Sequence, residues 1–91
     1  MGSGKVIYIF SKKSEQIASQ ITEQLKRGAT LLKTTGAYSG DDRKVVMCAL
    51  RRHEVFSLKK IVLDIDPTAF VIVGDVGQVM GKGFNSLKNS E

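Results

Sequence analysis

Three short runs in this chain are apolar at nearly every position: Lys5–Ser11 (KVIYIFS), Val45–Leu50 (VVMCAL) and Phe70–Val73 (FVIV). Each is too short to make a useful helix and suits a strand. In the first, Val6, Tyr8 and Phe10 alternate with Ile7 and Ile9, so an extended backbone is apolar on both faces. Strands of this kind belong inside a sheet and need cover on both sides. That requirement constrains the fold more than any other feature.

Helical periodicity lies between these runs. Ile17, Ala18, Ile21 and Leu25 recur three to four residues apart among polar neighbours, with Ser11 or Ser14 placed to cap the start. Lys26 and Arg27 are expected in the last turn, where cations complement the helix dipole, and Gly28 is expected to supply the stop. A second stripe begins at His53, with Val55, Leu58, Ile61, Val62 and Ile65 on one side. Asp66-Pro67 ends it, because the residue before proline is pushed out of the helical region. Ala29–Lys33 is short and β-compatible. After Val73, Asp75 is expected to cap a single turn over Val76–Met80, closed by Gly81. Lys82–Glu91 is polar and expected to fray, apart from the apolar Phe84.

The order is therefore βαββαβ with a short C-terminal helical turn. Right-handed crossovers turn that order into an α+β, ferredoxin-like fold: a four-stranded antiparallel sheet in spatial order 4-1-3-2 with both helices on one face. A conflict follows at once. Two helices cover one face, yet strands one, three and four are apolar on both. The tail is too short and too polar to cover the second face alone, and large exposed apolar patches are rare on monomers. A homo-oligomer packed through sheet faces or edges is the expectation. Residues 5–84 form the single domain, 1–4 read as an added leader, and 85–91 as a flexible tail.

Ninety-one residues with 42% hydrophobic and 25% charged side chains describe one ordinary globular domain. The net charge of +5 suits an anionic partner, although a solvated basic surface explains it as well. Cys48 is the single cysteine, so no internal disulfide forms; its place in mid-strand makes it a buried, inert thiol. No apolar run approaches the roughly 18 residues of a membrane span, and no signal peptide is recognisable.

Catalysis finds no constellation here. His53, the single histidine, stands at a helix start, and no second histidine or cysteine offers a metal set. The chain is therefore read as a non-enzyme without metal or cofactor. Asp41-Asp42 reads as a solvated turn, and Asp64 and Asp66 as residues that serve the end of the second helix. RNA recognition shares this strand order and stacks bases on aromatics of the first and third strands. Tyr8 and Phe10 qualify on the first, but the third carries no aromatic, both first-strand rings read as core, and nucleic acid is set aside. Small-anion binding survives best. Thr34–Glu54 (TTGAYSGDDRKVVMCALRRHE) contains a glycine-bracketed loop flanked by cations, the ingredients of phosphate recognition without a known fingerprint. The candidate ligand residues are Gly36, Tyr38, Ser39, Gly40, Lys44, Arg51 and Arg52.

Four stretches together carry a family resemblance: Gly36-Ala-Tyr-Ser-Gly40; Val45-Val-Met-Cys-Ala-Leu-Arg-Arg-His-Glu54; Ile65-Asp-Pro-Thr-Ala-Phe70; and Asp75-Val-Gly-Gln-Val-Met-Gly-Lys-Gly-Phe84. From Lys5 to Phe84 the chain resembles the C-terminal domain, of unassigned function, of the YitT-like bacterial membrane proteins. Gly77 departs from the helix-favouring residue usual at its place. The resemblance implies a soluble piece of a multi-pass membrane protein, lying on the cytoplasmic side of the plasma membrane and partnered by the membrane-spanning part of the full-length chain. The fold expected of that family is similar to the nitrogen-regulatory PII-like group. In that group ferredoxin-like subunits often form trimers, ligands sit in clefts between them, and the loop joining strands two and three is a mobile signalling element. Thr34–Arg43 is the counterpart by position. Two readings follow: a regulatory domain that oligomerises and senses a small anion such as a nucleotide, or a structural assembly module with no small ligand.

Overall fold

The computed structural model describes residues 4–77. The elements are β1 (Gly4–Phe10), α1 (Ser14–Leu25), β2 (Thr30–Thr35), β3 (Asp42–Leu50), a 3-10 turn over Arg52–Glu54, α2 (Val55–Ile65) and β4 (Phe70–Val76). The sheet order is β2-β3-β1-β4, and each pairing is antiparallel. This is the ferredoxin-like βαββαβ arrangement expected from the chain order.

β1 occupies the interior because its two apolar faces demand it. Ile7 and Ile9 pair with Cys48 and Val46 of β3 on one side and with Val73 and Val71 of β4 on the other. With Leu50 they form the sheet half of the core, and Ile17, Ala18 and Ile21 of α1 and Leu58 and Val62 of α2 form the helix half. Both helical stripes read from the sequence are thus the packed faces. At roughly 1.5–3 kcal/mol per fully buried aliphatic side chain, this layer is the main favourable contribution to folding.

The other sheet face is different. Val6, Tyr8 and Phe10 of β1, Met47 and Ala49 of β3, and Phe70 and Ile72 of β4 all turn away from the helices, as their register requires. Phe70 is 62% exposed, Ile72 44% and Phe10 40%. The expectation that Tyr8 and Phe10 are core therefore needs correction. They belong to the open face, because the core is set by the helices, and the helices lie on the side of Ile7 and Ile9.

Several local expectations are also corrected. α1 stops at Lys26, which takes the left-handed conformation at φ 57° and donates its N–H to Thr22 O at 3.1 Å. The stop precedes Gly28, and Lys26 and Arg27 lie beyond the last turn. Neither Ser11 nor Ser14 caps α1. Ser11 Oγ accepts the Lys13 N–H at 2.9 Å and donates to Asp66 Oδ2 at 2.5 Å. The Ser14 hydroxyl shares its proton between Ser11 O at 2.9 Å and Lys44 O at 2.8 Å, pinning the start of α1 to β3. β4 runs on through Asp75 and Val76, so Asp75 does not cap a turn; it pairs with Lys5 across the sheet. The rest of the expected Val76–Met80 turn, the helical element it was to form, and the tail lie outside the described residues. α2 ends where Asp66-Pro67 predicts. Asp66 Oδ1 accepts the Thr68 N–H and hydroxyl at 3.0 and 2.7 Å, and these bonds, led by that from Ser11, hold its carboxyl down to about 2.

Candidate functional site

β2 and β3 run past the end of β1. Phe10 pairs with Val45, whereas the hairpin continues through Lys33↔Lys44, Thr34↔Arg43 and Thr35↔Asp42. The three last pairs form a stem that projects beside the start of α1. Its tip is closed by Gly36, which donates to Asp41 O and accepts from the Gly40 N–H, both at 2.8 Å. Glycine is favoured at 40, where φ is +75°, whereas a Cβ at 36 would only oblige the Ser39 hydroxyl, 2.6 Å away, to rotate. Ser39 Oγ in turn accepts the Asp41 N–H at 3.2 Å. The loop thus spends the N–H groups of Gly36, Gly40 and Asp41 on itself, which leaves those three with nothing to offer a phosphate. Tyr38 at the tip is fully exposed.

The seven candidate residues separate into two groups. Gly36, Tyr38, Ser39, Gly40 and Lys44 share the hairpin end. Arg51 and Arg52 lie past the opposite end of β3, six strand residues or about 20 Å from Lys44. There Glu54 accepts Arg27 Nε with both carboxylate oxygens at 3.1 Å and the Arg51 N–H at 2.8 Å. Arg52 stands beside the Lys5–Asp75 pair, whose carboxyl is held below its usual range first by Lys5 and also by Arg52. That corner is built around its own acids.

The hairpin end gathers cations that the sequence reading did not group. An open groove of about 930 Å3 runs between the hairpin stem and the first turn of α1, and Lys12, Lys13, Lys33, Arg43 and Lys44 line it against Glu15 and Asp42. Lys44 is salt-bridged to Glu15 and holds that carboxyl below its usual range. Lys13 Nζ reaches Ile65 O at 3.4 Å. Lys33 and Lys44 are directly opposite on one face, an arrangement of like charges that disfavours the strand pair unless an anion joins them. Lys33 and Arg43 were missed because their proximity to Lys12 and Lys13 depends on hairpin register. Gly36 and Gly40 bracket that turn and were the available signal.

Two residues weighed for chemistry have other roles. Cys48 is buried, and desolvation, with Glu54 nearby, pushes its thiol up to about 11, far from a reactive thiolate. His53 is exposed in the 3-10 turn at the far end from the groove. Among the described residues no group of three or more metal-ligating side chains forms, and no helix is long and apolar enough to cross a membrane.

Comparison with known proteins places this geometry in a family. The UPF0750 membrane protein YpjC of Bacillus subtilis is 41% identical over 81 residues, covering 89% of this chain and 28% of that protein. The UPF0750 membrane protein YitT of the same organism is 29% identical over 73 residues, covering 80% and 26%. The chain thus spans little more than a quarter of the length of either. A crystal structure of a DUF2179 protein from Eubacterium ventriosum superposes with a TM-score of 0.70 at 31% identity, covering 81% of this chain and all of that one. The family model described as "Uncharacterized protein conserved in bacteria (DUF2179)" matches residues 27–81, more than half of the chain and including the whole hairpin. The expected likeness to YitT-type membrane proteins is borne out, and the chain belongs to the DUF2179 family.

Proposed function

We propose that this domain is the regulatory part of a multi-pass membrane protein, held on the cytoplasmic side, where it binds a small anion in the groove between the β2–β3 hairpin stem and α1. The observation that carries this reading is the convergence of Lys12, Lys13, Lys33, Arg43 and Lys44 on one cavity, with two of them opposed across the hairpin. Clustered cations around a concave surface concentrate anionic ligands from solution. The domain acts by binding rather than by catalysis. A ligand that prefers one arrangement of the hairpin against α1 biases the attached membrane segment by the difference in its affinity for the two arrangements.

A thermal-shift panel of phosphate-bearing metabolites on the 91-residue chain tests this. Ligand at about ten times Kd adds about 1.4 kcal/mol, which raises Tm of a domain of this size by about 5–10 °C. No shift at millimolar ligand counts against it.

The exposed row of Phe10, Phe70 and Ile72 favours a second reading, in which the domain is an assembly module that packs sheet faces between copies. Light scattering separates the two. An oligomer indifferent to anions supports assembly alone, and a clean monomer removes the assembly reading.

A further inference from the structure

The cationic groove lies on the helix side of the hairpin stem. A second cavity, of about 410 Å3, opens beneath the same stem on the open side of the sheet. Phe10 and Phe70 form one wall of it. They are register partners at adjoining ends of β1 and β4, with ring centroids 5.7 Å apart and planes at 53°. Ser11, Ser39, Arg43 and the carboxylate-bearing Asp41 are among its other lining residues, and Thr34, Thr35, Arg43 and Lys44 are common to both cavities. They are shared because β1 ends opposite Val45 and leaves Asp42–Lys44 of β3 with no strand beside them on that side.

Two exposed rings meeting at an angle, with a guanidinium and hydroxyls beside them, make a mixed environment. A simple inorganic anion uses the cations and leaves the rings bare. A molecule that joins a planar ring to an anionic group uses both, since any base offers a π-face to an aromatic wall. Extended nucleic acid fits less well. The open face of β3 continues with Val45, Met47 and Ala49, which provide neither cations to follow a backbone nor rings to stack further bases.

Building on the anion-binding reading above, we infer that the ligand of the hairpin site is a free nucleotide, with its base against Phe70 and Phe10 and its phosphates at Arg43, which lines both cavities. Phe70 supplies affinity through the base, and the guanidinium supplies it through the phosphates, so the two contributions separate by substitution.

Calorimetric titration of the 91-residue chain with adenosine triphosphate, inorganic tripolyphosphate and a ten-nucleotide oligouridine tests this. Adenosine triphosphate is expected to bind at least tenfold more tightly than tripolyphosphate. Phe70→Ala removes that advantage and leaves tripolyphosphate binding unchanged, whereas Phe70→Tyr keeps it. Phe70 is exposed and outside the helix-packed core, and circular dichroism checks that both variants fold; the wild-type ratio of the two anions decides the matter independently. Equal affinities for the two anions overturn the base contact while leaving the anion groove in place. Tighter binding of oligouridine than of adenosine triphosphate overturns the free nucleotide in favour of single-stranded RNA. Self-association abolished by Phe70→Ala, with no effect on nucleotide, assigns the rings to contact between copies. Failure of both anions to bind overturns this inference together with the anion reading on which it rests.

Discussion

At the Leu50 end of β3, Glu54 draws the Arg27 side chain and the Arg51 N–H onto one carboxylate, and Asp75 holds Lys5 with Arg52 close by. At the Asp42 end, Lys33 and Lys44 stand opposite each other, with Lys12, Lys13 and Arg43 around them and Glu15 paired to Lys44. Both ends of one strand carry a pair of adjacent cations, Arg43-Lys44 and Arg51-Arg52. One spends its charge on fastening a loop, a 3-10 turn and a strand together, while the other keeps cations in excess over acids around an open groove. The difference lies in which acids distant parts of the chain deliver. A carboxylate in reach turns a cation into a structural bond, and its shortage leaves electrostatic work for a ligand.

The largest expected effect comes from breaking the structural end. Glu54→Ala removes the carboxylate that binds the half-buried Arg27 side chain through Nε and the acceptor for the Arg51 N–H. A loss of about 2–3 kcal/mol in urea unfolding is expected, with a fall in Tm on the order of 10 °C or more. Anion binding at the hairpin end should be unchanged in the folded protein. A loss below about 0.5 kcal/mol would mean that the corner is held by something other than this carboxylate.

Acid sharpens the contrast from the other side. Asp66, near the hairpin end, is held down to about 2 by Ser11 and Thr68. A depressed carboxyl contributes stability that is fully present above its unfolded value, near 4, and is lost as pH falls through about 2. Unfolding measured between pH 5 and pH 2 should show a progressive decline. Asp66→Asn should be less stable at pH 7 and flatter across this range. A variant that declines as steeply as the wild type would place the acid sensitivity elsewhere.

The smallest effect has the opposite sign. Lys33→Thr removes one of two like charges facing each other in the stem and installs a residue that suits strands. Stability should rise by about 0.5 kcal/mol, or about 2–4 °C in Tm, while the anion response weakens. Lys33 is also an edge-strand lysine, a position where charge discourages pairing with other chains. If the variant gains no stability and self-associates instead, Lys33 guards the edge and is no part of a binding site.

Legibility from sequence followed the range of the interaction. Ile7 and Ile9, the Ile17–Ala18–Ile21 stripe and the Leu58–Ile61–Val62 stripe were readable because periodicity and burial are both local patterns. The end of α2 at Asp66-Pro67 was readable because proline acts on its immediate neighbour. The stop of α1 was not, because Lys26 takes the left-handed conformation two residues before Gly28, the residue best suited to it. Tyr8 and Phe10 were misplaced because alternation shows that a strand has two apolar faces but not which one the helices cover. The grouping of Lys44 with Arg51 and Arg52 failed for a simple reason. Six residues in a strand are near in sequence and about 20 Å apart in space.

The sequence by itself determined the element order, the ferredoxin-like topology and the family, since all three rest on hydrophobic period, turn residues and short-range motifs. It also determined that one apolar sheet face would lack cover from the helices. The tertiary structure decided which face that was and where charge accumulates. Only the pairing register opposes Lys33 to Lys44, and only the early end of β1 opens the stem to the first turn of α1 on one side and to Phe10 and Phe70 on the other. Register is a long-range property, set by how the hairpin and β1 lie together in the sheet, and a one-residue slip would move every one of these side chains to the opposite face.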